Sequence, residues 1–247
     1  MHNTEEKNYI FGIRAIIEAV EAGKTIDKLF IQKGLHNDLF AELWKLVREK
    51  RINYKHVPLE KINRLTRKNH QGVFAFISPI DFHNIEDVIP KLYEEGKNPL
   101  ILVLDRITDV RNFGAIARTA ECAGVDTILI PEQNAAAINA DAIKTSAGAL
   151  HKVTVCRTWN LKLALQFMKE SGVQLIGCTE KTQDNMYKAD YTTPTAIIIG
   201  SEEDGVSAEF LKMCDSRAKI PMNGKIASLN VSVATGVILY EALRQRG

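Results

Sequence analysis

Several common functional signatures are absent from this chain of 247 residues. No apolar run approaches the roughly 20 residues of a membrane-spanning helix, so we expect no membrane association. The four cysteines and six histidines are scattered, without CxxC or HExxH spacing, so we expect free thiols and no protein-bound metal. The sequence has no G-x-G-x-x-G after its first strand, no Walker A motif and no G-x-S-x-G elbow. These absences argue against a Rossmann dinucleotide site, a P-loop and a hydrolase elbow.

The composition is that of an ordinary soluble globular protein, with 45% hydrophobic and 25% charged residues. Its length allows one large domain or two small ones. The first ten residues, MHNTEEKNYI, are polar and acidic, unlike a secretory signal. Together with the scattered cysteines, they predict a cytoplasmic protein.

Positive charge is concentrated in the N-terminal third of the chain. Residues 1–80 hold 14 Lys and Arg against 9 Asp and Glu, whereas the remainder holds 18 against 21. The densest stretch runs from Trp44 to His70. Such clustering suits phosphate contacts with a nucleic acid, although a solvated basic face is the more common explanation of a charge run taken alone. The candidate RNA contacts in this stretch are Lys45, Arg48, Arg64, Arg67 and Lys68.

The hydrophobic pattern predicts an α/β protein in two parts. Short helices and strands alternate over residues 1–78, a polar stretch at 79–98 with one helix at Ile85–Glu95 reads as a linker, and residues 99–247 form the second part. Near-continuous apolar strands separated by helices predict a parallel sheet there. The final helix, Asn230–Arg244, is apolar on nearly every side and should be buried. The predicted strands of the second part are Leu100–Leu104, Thr127–Ile130, Val153–Cys156, Gln174–Cys178 and Ala196–Ile199.

Three segments repeat one layout, in which a buried strand runs into a Gly-rich turn and then a helix start. Such turns present free backbone N–H groups to a ligand. Three of them in one parallel sheet predict one composite pocket. The segments are LILVLDRITDVRNFGAIARTAECAG (Leu100–Gly124), IIIGSEEDGVS (Ile197–Ser207) and IPMNGKIASLNVSVATGVILYEAL (Ile220–Leu243).

Each segment alone also has an ordinary structural interpretation. In the first, Asn112 can cap a helix on which Arg118 is a surface residue paired with Glu121. In the second, Ser207 can cap the helix Ala208–Cys214 after a simple turn. In the third, Ser228 or Asn230 can cap the last helix.

Together and in this order, the three segments closely resemble the motifs of the SpoU (TrmH-type) RNA ribose 2'-O-methyltransferases, which use S-adenosylmethionine. The resemblance implies a C-terminal SPOUT domain with a trefoil knot. The strings YIFGIRAIIEAVEAG and HQGVFAF resemble the L30e-like substrate-binding domain of this enzyme class. The most similar subgroup methylates a guanosine of 23S ribosomal RNA, and a homodimer is implied. Alternatives are methylation of transfer RNA and a non-catalytic RNA-binding role in ribosome assembly.

The resemblance also implies roles for individual residues. Arg118 falls on the catalytic arginine of the motif N-x-G-x-x-x-R. Arg14-Ala15-Ile16 stands where the family often has His-Ala-Val, and Arg14 is a further candidate RNA contact. Val110 stands where the family often has proline. The remaining catalytic candidates are Asn112, Glu202, Ser228 and Asn230, and the cofactor candidates are Gly200, Ile220, Leu229, Ile199, Met222 and Thr179.

Two roles remain open for Arg118. A ribose 2'-hydroxyl needs deprotonation or stabilisation of its developing charge before it can attack a methyl group. An arginine whose pKa exceeds about 12 is an awkward general base but a good two-pronged clamp for a phosphate. At Gly200, the missing side chain is expected to leave space for the cofactor.

Overall fold

The computed structural model describes residues 9–50, 52–225 and 228–247. The chain divides into two compact units, Met1–Asp81 and Phe82–Gly247. Within the described ranges, no helix is both long and apolar enough to span a membrane.

The first unit is built on a mixed four-stranded sheet. Its strand order is β1-β4-β2-β3, with β2 parallel to β3 and antiparallel to β4. One face packs on α1 and α2 through Ile16, Leu29 and Leu43, while the other face packs on α3 through Phe30 and Ile62. The elements are β1 (Tyr9–Phe11), α1 (Ile13–Glu21), β2 (Ile26–Gln32), α2 (Asp38–Glu49), β3 (Tyr54–Val57), α3 (Leu59–Leu65) and β4 (Val73–Ile77).

The second unit contains a six-stranded sheet in the order β10-β8-β9-β5-β6-β7, and every strand pair in it is parallel. This confirms the predicted α/β fold with a parallel sheet. The elements are α4 (Ile85–Glu94), β5 (Leu100–Leu104), α5 (Val110–Cys122), β6 (Thr127–Pro131), α6 (Ala140–Thr145), β7 (Thr154–Thr158), α7 (Leu161–Glu170), β8 (Gln174–Cys178), β9 (Thr195–Ile199), α8 (Ala208–Met213), β10 (Ser216–Ala218) and α9 (Val231–Arg246).

Helix α4 lies in the stretch that reads as a linker in the sequence. Its Ile85 and Ile89 are fully buried in the main core of the second unit, with Ile101 and Leu165. A part of residues 79–98 is therefore packed structure. The division at residues 78 and 98 stays a prediction, as do the trefoil knot and the L30e-like character of the first unit.

The prediction that the final helix is buried all round is wrong. Helix α9 buries Thr235, Ile238 and Leu239, yet it leaves Val233 and Tyr240 each 52% exposed. These two residues are seven positions apart, which places them on one face of the helix. An apolar helix surface thus remains uncovered in the single chain.

Candidate functional site

The second and third Gly-rich turns line one pocket at the carboxyl edge of the parallel sheet, and the first turn reaches it through the hydrogen bond of Asn112 to Glu202. β5 and β9 are neighbours, with Leu104 opposite Ile199, so the first two turns begin side by side. The pocket has a volume of about 320 Å³. All six residues predicted to bind the cofactor line it, and so do Glu202 and Ser228. The six are Thr179, Ile199, Gly200, Ile220, Met222 and Leu229.

A hydrogen-bonded cluster at this pocket joins one side chain from each turn. Glu202 Oε1 accepts from Nδ2 of Asn112 at 2.9 Å and from Nδ2 of Asn230 at 2.9 Å. Asn230 Nδ2 also lies 3.1 Å from Asn112 Oδ1. Two side-chain amides therefore orient one carboxylate. The fold thus brings together three of the predicted catalytic candidates, although they lie far apart in the chain.

The starts of α5 and α9 position the two amides. Asp109, rather than Asn112, caps α5, because its Oδ1 accepts from the Asn112 backbone N–H at 2.7 Å. The capping role predicted for Asn112 is therefore wrong, and its side chain is available to Glu202. Asn230 does cap α9, with Oδ1 accepting from the Ser232 N–H at 3.0 Å while Nδ2 donates to Glu202.

Gly200 is required by the backbone of its own turn. The Gly205 N–H donates to the Ser201 carbonyl at 2.9 Å, and Gly205 has a φ of +72°. A Cβ at Gly200 would lie 1.9 Å from the Gly205 carbonyl carbon and 2.0 Å from the Val206 nitrogen. The space beside Gly200 is thus filled by the returning chain, so the expectation that it is left for the cofactor is wrong. The tight turn places Glu202 at its tip.

A hydrogen-bond network centred on a buried carboxylate, which the sequence did not reveal, anchors the same turn to the end of β5. Asp105, only 2% exposed, accepts from the Ser207 N–H at 2.7 Å and from its hydroxyl at 2.6 Å. Arg106 Nε donates to Asp105 at 3.1 Å, and its other nitrogens reach Asp204 at 2.9 Å and the Gly205 carbonyl at 3.0 Å. The Asp105 hydrogen bond raises the pKa of Arg106.

Two local features of this network differ from sequence expectation. Ser207 precedes α8, but its side chain makes no cap hydrogen bond there because it is bonded to Asp105. Arg106 has a φ of +60°, an uncommon backbone conformation for a residue with a side chain. Asp105 directly follows the apolar strand Leu100–Leu104, and a polar residue at the carboxyl end of a parallel strand is the sequence feature that could have indicated this network.

Arg118 is not brought to the pocket within the chain. It is exposed, and no hydrogen bond or ion pair joins its side chain to another described residue. Glu121, its predicted pairing partner, lies 3.7 Å from Lys152 instead. At about 100° per residue, Arg118 lies some 120° around α5 from Asn112. Gly114 of the same motif is buried against α6, where a Cβ would meet the Cβ of Thr145 at 2.7 Å.

The rim of the pocket is acidic and its walls are largely apolar. Glu180, Glu202 and Glu203 line it, while Ile238 and Val231 contribute apolar surface. Within the described residues, no group of three or more His, Cys, Asp or Glu side chains is arranged to hold a metal.

The buried thiols have no nucleophilic character near neutral pH. Burial raises the pKa of Cys178, which lines the pocket, and raises those of Cys156 and Cys214 to about 11. These thiols stay protonated, so a covalent thiolate route through them is disfavoured.

The candidate RNA contacts lie in the first unit and are exposed, but they form two groups. Lys45 and Arg48 belong to α2, on one side of the sheet, whereas Arg64 belongs to α3, on the other side. Arg64 and Arg67 line a shallow groove of about 600 Å³. Arg14 and Lys45 have weak ion pairs with acidic neighbours, at 3.4 and 3.8 Å respectively. Arg14 pairs with Glu42 and Lys45 pairs with Glu49. Lys68 follows Arg67 in the loop after α3.

Comparison with known proteins agrees with this geometry. The profile of the SpoU rRNA Methylase family matches residues 99–240, and the profile described as RNA 2'-O ribose methyltransferase substrate binding matches residues 9–83. The Bacillus subtilis protein YacO, assigned by name to the TrmH family of tRNA/rRNA methyltransferases, is 31% identical over 98% of this chain and 98% of its own length.

Solved structures show the same similarity. The SpoU methyltransferase AviRb from Streptomyces viridochromogenes is 25% identical, with a TM-score of 0.61 over 96% of this chain and 89% of its own. AviRb has also been solved in complex with AdoMet. The TrmH/SpoU tRNA modifying enzyme of A. aeolicus is 36% identical, with a TM-score of 0.55 over 66% of this chain and 84% of its own.

Proposed function

The chain belongs to the SpoU family of RNA methyltransferases, and from this premise we propose that it transfers a methyl group from S-adenosylmethionine to a ribose 2'-hydroxyl of ribosomal RNA. The observation that carries the proposal is the cluster of Asn112, Glu202 and Asn230 at the mouth of the pocket. It places an oriented carboxylate beside a cavity with apolar walls, which is the arrangement that this reaction needs.

The pocket fits the cofactor by its chemistry. Ile199, Ile220 and Leu229 offer apolar contact to the adenine, and the backbone of the turns offers hydrogen bonds. The acidic rim, including Glu180 and Glu203, complements the positive charges of the sulfonium and amino groups. Bound there, the cofactor supplies an electrophilic methyl group.

We assign Glu202 to the ribose hydroxyl. This hydroxyl is a poor nucleophile near neutral pH, so a neighbouring group has to accept its proton or stabilise its charge. Glu202, held by the amides of Asn112 and Asn230, is a carboxylate at the pocket with the hydrogen-bonding capacity to accept from the hydroxyl. Ser228, on the same pocket wall, is a second hydrogen-bonding partner for the ribose.

Arg118 is assigned to a phosphate of the RNA. Its exposed position and its distance around the helix from Asn112 favour a charged clamp over a base that contacts the hydroxyl. Arg111, also exposed, is seven residues earlier on the same face of α5 and adds positive charge to it.

The preferred substrate in this proposal is a guanosine of 23S ribosomal RNA, as in the subgroup that the sequence resembles. The 36% identity to a tRNA modifying enzyme is the observation that favours transfer RNA instead. That similarity covers 66% of this chain, so about a third of the chain lies outside the match.

A homodimer completes the proposal. The exposed apolar face of α9, with Val233, Tyr240 and Leu243, offers a self-complementary surface to a second copy. Light scattering should give twice the 27.6 kDa of one chain. Tyr240→Glu should shift the protein towards the monomer, and a wild-type mass of one chain would contradict the dimer.

The RNA target is tested by mapping 2'-O-methyl groups in ribosomal and transfer RNA from cells with and without the protein. We expect one guanosine of 23S ribosomal RNA to lose its methyl group when the protein is absent. Loss of a methyl group from transfer RNA alone would replace the ribosomal assignment with the tRNA alternative.

A further inference from the structure

A groove of about 610 Å³ lies in the first unit, between the loop after β2 and strand β3. Its walls include Phe40 and Trp44 of α2 and His56 of β3, with His36 from the loop. None of these side chains takes part in the pocket of the second unit. The groove is therefore separate from the pocket of the second unit.

Three of the rings that line the groove, Phe40, Trp44 and His56, belong to an aromatic cluster that also includes Tyr54. The Trp44 ring centroid lies 6.0 Å from Phe40, 5.0 Å from Tyr54 and 6.1 Å from His56, and Tyr54 and His56 are 5.6 Å apart. On α2 the rings are four residues apart, and on β3 they are two apart, so each pair shares one face of its element. Two secondary structure elements thus direct four rings to one place.

This cluster is only partly accounted for by the hydrophobic core. Phe40 and Trp44 are half-buried and pack against the core of the first unit. Tyr54, however, is 43% exposed, and His56 is also exposed on β3, which is an edge strand of the sheet. His56 lines the groove, and the exposed Tyr54 ring packs against His56 next to the lining, so the core alone does not account for these two rings.

Basic side chains accompany the rings. Arg48 is one helical turn beyond Trp44, in the row that Phe40 begins, and it is exposed. Lys45 is 78% exposed and lies 3.8 Å from Glu49, a loose pair. Asp38, at the start of α2, contributes the acidic group of the groove. Aromatic faces with a carboxylate acceptor suit a nucleobase, and cations beside them suit its phosphates.

We propose that this groove binds an unpaired nucleotide of the substrate RNA by stacking its base against Trp44 and His56, with Arg48 and Lys45 at the backbone phosphates. The inference rests on the proposed function, because it gives the RNA a defined contact in the first unit. Bases in an A-form duplex are already stacked on one another, so the groove selects single-stranded loops or bulges.

Trp44 can report its own contact. The chain contains two tryptophans, Trp44 and Trp159, so Trp159→Phe leaves Trp44 as the single reporter. We expect Trp44 fluorescence to be quenched on titration with a short single-stranded oligouridylate, and not with a blunt duplex of comparable length. Unchanged fluorescence at saturating oligouridylate would overturn the proposal.

Substitutions separate stacking from charge. Trp44→Leu keeps apolar packing against the core, and it should weaken oligouridylate binding about tenfold, or about 1.4 kcal/mol, in the range of base–aromatic stacking. Trp44→Phe should retain most of the affinity. The salt dependence of binding should be unchanged in Trp44→Leu and reduced in Arg48→Gln, since only the latter removes a phosphate contact.

A control variant should lack an exposed aromatic ring outside the groove. Tyr187→Leu removes an aromatic ring that is 58% exposed in the second unit and should leave oligouridylate affinity unchanged. Circular dichroism and the unfolding temperature of each variant show whether the first unit is folded. If folded Trp44→Leu binds as tightly as the wild type, the stacking role is refuted.

Methyl transfer measured on the same variants distinguishes this proposal from the proposed function. We expect Trp44→Leu to raise the KM for RNA with little change in kcat, and to leave S-adenosylmethionine affinity unchanged. Transfer with a wild-type KM would refute the groove while the methyltransferase assignment stands. Quenching by oligouridylate without methyl transfer to any RNA would support the groove and refute the assignment.

Discussion

Replacing Gly114 by alanine should destabilise the packing of α5 against α6 without removing any polar group of the site. Gly114 lies in α5, the helix that carries Asn112 and Arg118, where α5 meets α6. A Cβ there would be 2.7 Å from the Cβ of Thr145 and 2.9 Å from the Ala142 carbonyl oxygen. Carbon atoms prefer separations of about 3.5–4.0 Å, so the two helices would have to move apart.

The net cost of Gly114→Ala follows from two opposing terms. Replacing glycine by alanine in a helix interior stabilises by about 1 kcal/mol. Overpacking costs roughly 1–3 kcal/mol, and the upper end applies because the backbone of α6 cannot relieve the contact by a rotamer change. We therefore expect a net loss of about 1–2 kcal/mol, or roughly 3–6 °C in the unfolding temperature of a unit of this size.

Gly236→Ala in α9 is the matched control. A Cβ there would lie 3.5 Å from Thr119 Cγ2, an ordinary contact, so the helical preference of alanine should dominate. We expect a gain of about 0.5–1 kcal/mol. Differential scanning calorimetry of both variants against wild type is the assay. An unfolding temperature of Gly114→Ala equal to or above that of wild type would refute the reasoning.

Three further results are expected. Arg118→Ala should abolish methyl transfer while leaving S-adenosylmethionine affinity unchanged in calorimetric titration, because this exposed side chain lies outside the pocket; full activity would remove it from the mechanism. Hydrogen bonds from Arg244 lower the pKa of Glu241 to about 2 from its ordinary 4.5, so their stabilisation is present above about pH 4.5 and is lost as pH falls through 2. Glu241→Gln should therefore lose about 1–2 kcal/mol in urea unfolding at pH 7 and almost nothing near pH 2; an equal loss at both would contradict this. Replacing the basic residues Arg64, Arg67 and Lys68 by Glu should weaken RNA binding and flatten its salt dependence. An unchanged salt slope would show that these side chains make no phosphate contact.

The parallel sheet and its pocket were predictable because both depend on local patterns. Apolar β-type runs fixed β5 and β8 to the residue, at Leu100–Leu104 and Gln174–Cys178. Since parallel strands end at one edge, turns that follow them converge, which is why one composite pocket could be predicted. The individual residues Gly200 and Leu229, which do line it, were implied by the family resemblance.

The errors arose where tertiary contacts choose between equivalent local options. Asp109 and Asn112 are both good cap residues, and the actual helix start at Val110 selects Asp109. Strand β10, Ser216–Ala218, is too short to show a periodic pattern. Arg106 combines a positive φ with hydrogen bonds to Asp204 and the Gly205 carbonyl, and no sequence pattern indicates these long-range contacts.

The burial of α9 was misjudged for a different reason. A helix that is apolar on every side is buried either within its own chain or against another one, and composition does not distinguish the two. Val233 and Tyr240 remain exposed in the single chain, so this helix belongs to the second case if the dimer proposal is correct.

The most direct test of the central claim is to follow the label from methyl-labelled S-adenosylmethionine incubated with purified protein and ribosomal RNA. We expect the label at one nucleotide, on the ribose oxygen, where it makes the adjoining phosphodiester resistant to alkali. Glu202→Gln should bind the cofactor yet transfer the label far more slowly, because its carboxylate is the group held at the pocket by Asn112 and Asn230. Label on a base, or equal transfer by the wild type and Glu202→Gln, would contradict the account.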